Sequence, residues 1–157
     1  MPSPRPRASI GLLVAGVSAG LLLASSWLDA WGRVSIRGAS LGRAGRLPAT
    51  SSGFDAWEGF GPVLQAALAA SLTVAVVVAA LIVSRRAHKR PGIVLLLAIV
   101  MSSLFVAGAA PGPDLDGLER LGGVNVSRGA LVVTGYGLCA LTVLGGVLHL
   151  RSARTPG

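Results

Sequence analysis

Few side chains in this 157-residue sequence could do chemistry. They are two histidines, His88 and His149, one cysteine, Cys139, and an acidic stretch, Asp114-Leu-Asp116-Gly-Leu-Glu119. Carboxylates at that spacing could offer oxygen ligands to a hard cation. The stretch is short, however, lacks the ligand pattern of a calcium-binding loop, and has Arg120 beside it. His149 sits near the end of an apolar run, where it could relay a proton or hold a haem iron. With no second histidine in an apolar run, it reads instead as a helix-end residue meeting exposed carbonyls. Cys139 has no base or acid near it at the same depth, so it reads as a small packing residue and not as a nucleophile. His88 belongs to a basic loop. No glycine-rich phosphate loop, nucleophile elbow or zinc-protease helix is present. The expectation is a chain with no catalytic residue, no cofactor-binding residue, no metal site and no enzyme activity.

The elements around these residues say more than the residues do. The chain is 52% hydrophobic and only 13% charged, against roughly 25% charged in a soluble domain. A net charge of +8 would suggest nucleic acid if the cations shared one face with stacking aromatics. Here they flank apolar runs, and aromatics make up 4% of the chain; nucleic acid is excluded as a partner. A single cysteine excludes an internal disulfide and a cysteine-based metal cluster.

Four runs lack Asp, Glu, Lys and Arg: about Ile10–Leu28, Pro62–Val83, Gly92–Ala110 and Ala130–Leu150. Each approaches the ~20 residues a helix needs to cross ~30 Å of hydrocarbon. One charge at a helix centre costs ~2.5–3.5 kcal/mol on insertion, so its absence from all four marks lipid as the solvent. In lipid the backbone must satisfy its own polar groups, which favours helices for runs this long. The predicted fold is an all-α membrane protein: one membrane domain over residues 1–157, an antiparallel four-helix transmembrane bundle, with a small extracytoplasmic β-hairpin or two-stranded sheet.

Orientation follows from charge. Arg85, Arg86, Lys89 and Arg90 crowd the gap 84–91, with Arg5 and Arg7 before the first run and Arg151 and Arg154 after the fourth. Four crossings place all eight cations on one side. The other side carries Arg33, Arg37, Arg43, Arg46, Arg120 and Arg128 with every acidic residue. Basic loops stay in the cytoplasm, so the short gap is a topology anchor that folds two runs into a hairpin. The expected location is the cytoplasmic (inner) membrane, multi-pass, with both termini cytoplasmic and membrane lipids as partners. Trp27, Trp31 and Trp57 flank the outer ends of the first two runs, as interfacial anchors do. The first run also has the layout of a secretory signal, but its length and Trp27 favour a retained helix.

Small residues recur at four-residue spacing: Gly16 and Gly20, Ala67, Ser71, Ala75 and Ala79, Ser103 and Ala107, Gly137 and Gly145. Such faces let helices approach closely in lipid, within one chain or in a homo-oligomer. In the outer loops 29–61 and 111–129, alternation of Val34 and Ile36 and of Val124 and Val126 with polar residues predicts two strands. The expectation is that residues 33–38 pair with 123–128. Residues 42–53 read as a mobile surface loop, and a short helical turn is expected around Leu115–Leu121.

With its tryptophan after the first run, β-like outer segment and glycine-rich last run GYGLCALTVLGG (135–146), the chain resembles small uncharacterised four-span membrane proteins of GC-rich bacteria. That resemblance implies a fold and no activity. Claudin-type proteins share the outline, but their paired loop cysteines are missing. The functional expectation is a non-enzymatic accessory or structural membrane component. The alternatives are a small oligomeric transporter or channel, or the membrane subunit of an enzyme complex.

Cysteines placed singly at Ser40 and His88, in a chain carrying Cys139→Ser, test the orientation. In intact cells an impermeant maleimide is expected to label position 40 only, with position 88 reacting after lysis. Labelling of both from one side sinks the topology.

Overall fold

The computed structural model describes residues 10–36, 50–84, 92–113 and 124–154. The cations Arg85, Arg86, Lys89 and Arg90, together with His88, Asp114, Asp116 and Glu119, lie outside them.

The described chain is mostly helical. Helix α1 (Ile10–Ser25) leads into strand β1 (Gly32–Ile36); β2 (Thr50–Phe54) is followed by the four-residue turn of helix α2 (Ala56–Gly59). Then come α3 (Pro62–Val83), α4 (Gly92–Ala109), β3 (Val124–Arg128) and α5 (Ala130–Arg154). Three helices are long and apolar enough to cross a membrane: Pro62–Val83, Gly92–Ala109 and Ala130–Ala153. The first apolar run is helical only to Ser25, and its 16 residues span about 24 Å. Ser25 and Ser26 end it: their hydroxyls donate to the carbonyls of Leu22 and Leu23 at 2.8 and 2.6 Å, so Trp27 and Leu28 fall beyond the helix. Pro62 opens α3, as expected, where a missing N–H costs nothing.

α1 packs on α5 and α3, and α4 packs on α3 and α5, closing a ring. Its interior is lined by small and polar residues as much as by large ones: Ala15, Ser18, Ala19, Ala67, Ser71, Ala98 and Thr142 are buried. Its outside carries Leu13, Val17, Leu72, Val76, Ile99, Val106, Leu144 and Leu148, all exposed. Close packing of small faces inside and branched aliphatics outside is the distribution lipid imposes. Every buried side-chain nitrogen and oxygen among the described residues has a hydrogen-bond partner. Ser18 and Thr142 share one 2.9 Å bond across α1 and α5 while each also donates to or contacts its own helix backbone.

The small residues expected to pack divide into two groups. A methyl group at Gly145 would lie 2.6 Å from the Ala15 nitrogen and 2.7 Å from the Gly11 carbonyl oxygen. Gly11, not singled out by spacing, therefore meets Gly145 backbone to backbone. Ser71 is buried and donates to the Leu68 carbonyl at 2.6 Å. Gly16 faces a Val78 methyl on α3, while Ala75 is half-buried along the same seam. Gly20 and Gly137 do not pack: a side chain at either would meet nothing within 4 Å. Sequence spacing alone could not tell the inner face of each helix from the outer.

The expected strand pair forms, with β1 antiparallel to β3 and Val34 opposite Val126. The sheet has three strands and not two, in the order β2-β1-β3. Residues 50–53, expected within a surface loop, form β2 and pair with β1 so that Arg33 faces Gly53 and Ser35 faces Ser51. Ser-, Thr- and Gly-rich sequence hid this strand because it has almost no apolar alternation; its partner supplies the ladder.

Gly145→Leu and Gly137→Leu test the packing. The first forces α1 off α5 and is expected to cost about 1–3 kcal/mol, seen as a lower melting point in mild detergent. Gly137→Leu is expected to change stability by less than about 0.5 kcal/mol. Equal effects would show that the close approach is not what holds α1.

Candidate functional site

The ends of α1, α4 and α5 nearest the sheet meet the start of α3 in one aromatic assembly. All seven aromatic residues of the chain, three Trp, three Phe and one Tyr, make ring contacts at this end, five in one column and Trp27 with Trp57 in a separate pair. Phe54 at the end of β2 lies 6.2 Å from Phe60, and Phe60 meets Trp31 edge-on at 6.1 Å. Trp31 meets Phe105 of α4 at 6.0 Å, and Phe105 meets Tyr136 of α5 at 5.3 Å. Edge-to-face pairs of this kind each add about 0.5–1.5 kcal/mol beyond burial. The column thus ties the sheet to α4 and α5.

Trp31 is the keystone and not a surface anchor. It is 0% exposed. Its indole Nε1 donates at 2.6 Å to the carbonyl of Ser25, one of the last-turn groups that α1 leaves without a helical partner. Its own carbonyl accepts from Gly129 at 2.7 Å, just before α5. An indole buried this way gives its apolar surface to the core and its one donor to a carbonyl that also accepts from the Leu28 N–H at 3.1 Å. Along the chain it flanks an apolar run just as Trp27 and Trp57 do, and only the turn after α1 directs it inward.

The other two tryptophans do reach the surface. Trp27 is 60% exposed and tilts over Trp57 with ring centres 6.1 Å apart. Trp57 is half-buried; its Nε1 donates to the Ser26 hydroxyl at 2.9 Å. Asp55 caps α2, one carboxylate oxygen accepting from the N–H groups of Trp57 and Glu58, both at 2.8 Å. Gln65 reaches back from α3 to donate to the Trp57 carbonyl at 3.0 Å. This polar net fixes the junction of α1, α2 and α3, and sequence spacing offered no signal for it beyond the aspartate before a short helical turn.

At the same end, between the start of α3 and the end of α4, is an open recess of about 380 Å³. Pro62, Gly108, Pro111 and Pro113 are among its walls. Arg128 at the end of β3 donates to the Ala110 carbonyl nearby. Ser103 and Ala107, expected on a packing face of α4, are exposed, and Ala107 lines this recess. Gly108 is the residue that packs, its Cα pressed against the backbone of Leu64.

His149 is fully buried, five residues before α5 ends, and its backbone lies against Gly11. It is therefore an interior residue of the helix ring and not an exposed helix-end histidine. Cys139 is buried, as a packing residue would be. Among the described residues no group of three His, Cys, Asp or Glu side chains could hold a metal ion. No family model matches the chain, and no curated protein matches it.

Replacing Trp31 by Ala is expected to cost about 3–5 kcal/mol, and Trp31→Phe to cost less while losing the bond to Ser25. Trp27→Ala is expected to leave thermal stability nearly unchanged. Intrinsic fluorescence of single-tryptophan variants checks the burial: Trp31 should emit further to the blue than Trp27 and resist an aqueous quencher.

Proposed function

We propose that this protein is a four-helix integral membrane protein of the cytoplasmic membrane that catalyses no reaction. It acts as an accessory or structural component through helix packing and through contacts made by its outer cap. In this reading α1 is the fourth span, and both termini and the basic 84–91 loop face the cytoplasm. The carrying observation is the rigid cap: a three-stranded sheet tied to the helices by buried aromatics, above helices whose outward faces are apolar. The sheet presents a polar face of Arg33, Ser35, Ser51, Asn125 and Ser127, suited to hydrogen bonding with another extracytoplasmic surface. On the cytoplasmic side, the cations of the 84–91 loop favour anionic headgroups by about 1 kcal/mol per basic residue.

Affinity purification in mild detergent, with an Arg33→Ala, Asn125→Ala variant in parallel, tests this reading. A stoichiometric membrane-protein partner is expected, with recovery reduced several-fold by the variant. A homo-oligomer that conducts ions in liposomes replaces the reading with a channel. A haem or metal that travels with a partner replaces it with an enzyme subunit.

A further inference from the structure

We propose that the peptide bond between Ser26 and Trp27 is a latent cleavage site for an extracytoplasmic leader peptidase, held uncut because the outer cap closes over it. The inference rests on the membrane-spanning reading above, in which this end of α1 reaches the outer face. Such a peptidase recognises an apolar helix with basic residues before it and small residues after it. Here Arg5 and Arg7 precede the helix, and Ala24 and Ser26 stand three and one places before the bond, where the recognised residues must be small. Cleavage would be a plain hydrolysis. The oxygen of one water adds to the Ser26 carbonyl carbon, the C–N bond to Trp27 breaks, and the nitrogen takes up a proton. The products are a Ser26 carboxylate and a Trp27 ammonium group. Nothing in the local sequence forbids this step.

The tertiary structure does forbid it. Peptidases cut at exposed loop tips, and this bond is not on one. Ala24 and Ser25 belong to the last turn of α1, and Ser26 is 0% exposed. The Ser26 carbonyl, the group that water would attack, accepts from the Ala56 N–H at 3.0 Å. The Ser26 hydroxyl accepts from the Trp57 indole at 2.9 Å, and the Ser26 N–H donates to the Leu23 carbonyl at 3.1 Å. The Ser25 carbonyl beside it accepts from the Trp31 indole at 2.6 Å. Donors from Trp31, Ala56 and Trp57 therefore converge on two consecutive residues. Two of the three belong to α2, whose start Asp55 caps; the short helix is the lock on the bond. A cut here would detach Gly11, Ala15 and Ser18, leaving Gly145 without its contact and Thr142 without its partner. Retention of α1 thus depends on the cap closing before a peptidase engages, and a chain whose cap has not formed loses its first helix.

The test follows the full chain, tagged at its C-terminus, by pulse–chase in bacterial cells. The unaltered chain is expected to stay full length. Trp57→Phe removes the indole bond to Ser26, and Asp55→Ala removes the cap of α2. Cutting of a closed site follows the population of its opened form. Each variant should therefore be cut about three- to tenfold faster, the change that one lost hydrogen bond or helix cap supplies, and the two combined faster still. N-terminal sequencing should find the product beginning at Trp27. Adding Ala24→Phe, which enlarges an exposed residue where the peptidase needs a small one, should restore the full-length chain. Val94→Ala, a buried position towards the other end of α4, should lower the melting point without raising cleavage. Combined variants that stay as uncut as the unaltered chain overturn the proposal. So does a product that begins elsewhere, one that persists with Ala24→Phe, or equal cutting of Val94→Ala. An unaltered chain already cut at Trp27 sinks α1 as the fourth span together with this inference. Uncut variants in which a cysteine placed at Ser40 is still labelled from outside sink this inference alone.

Discussion

Gly11 and Gly145 meet with no side chain between them, and Ala15 completes the contact from the next turn of α1. α1 is the shortest of the four ring helices and has no charged residue to anchor it. In an apolar solvent, burial of aliphatic surface offers little drive for helices to associate, so close van der Waals contact must supply it. Backbone-to-backbone approach maximises that contact, and it also brings Ser18 and Thr142 within reach of each other. With α1 seated on α5, its other side meets α3, the ring closes, and the end of α1 arrives where Trp31 can cap it.

The aromatic column transmits this placement to the sheet. Strands of five residues with polar edges would be marginal alone. Here β1 begins one residue after Trp31, β2 ends at Phe54, and β3 leads through Gly129 into α5. Each strand is therefore fastened at the end nearest the helices, and the polar rows of Ser, Asn and Arg need bury almost nothing. Helix packing and cap geometry are one problem: the residue that satisfies the last turn of α1 is also the centre of the ring stack.

Much of this was legible in the residues. Apolar runs free of charge set the starts of three membrane-length helices to the residue and the ends of two within one, because the cost of a buried charge shows directly in composition; α5 runs on past Leu150 to Arg154. The pairing of β1 with β3 was readable from Val34, Ile36, Val124 and Val126, since a half-buried strand alternates. β2 was not, because Thr50-Ser51-Ser52-Gly53 has no alternation and borrows its order from β1. The candidate site was legible only as three flanking tryptophans. Phe54, Phe60, Phe105 and Tyr136 are as far as 82 positions apart and become one cluster only when the helices close.

The sequence by itself determined the solvent the helices suit, their approximate lengths and where along the chain the cations cluster, since each depends on what residues a segment contains. Only the tertiary structure decided which glycines are contacts and which face open space, and which tryptophan is core and which surface. Gly16 and Gly20, like Trp27 and Trp31, are four residues apart and chemically identical. The difference between them is set by the neighbour each helix or turn happens to meet, and a neighbour distant in the chain leaves no mark on local spacing.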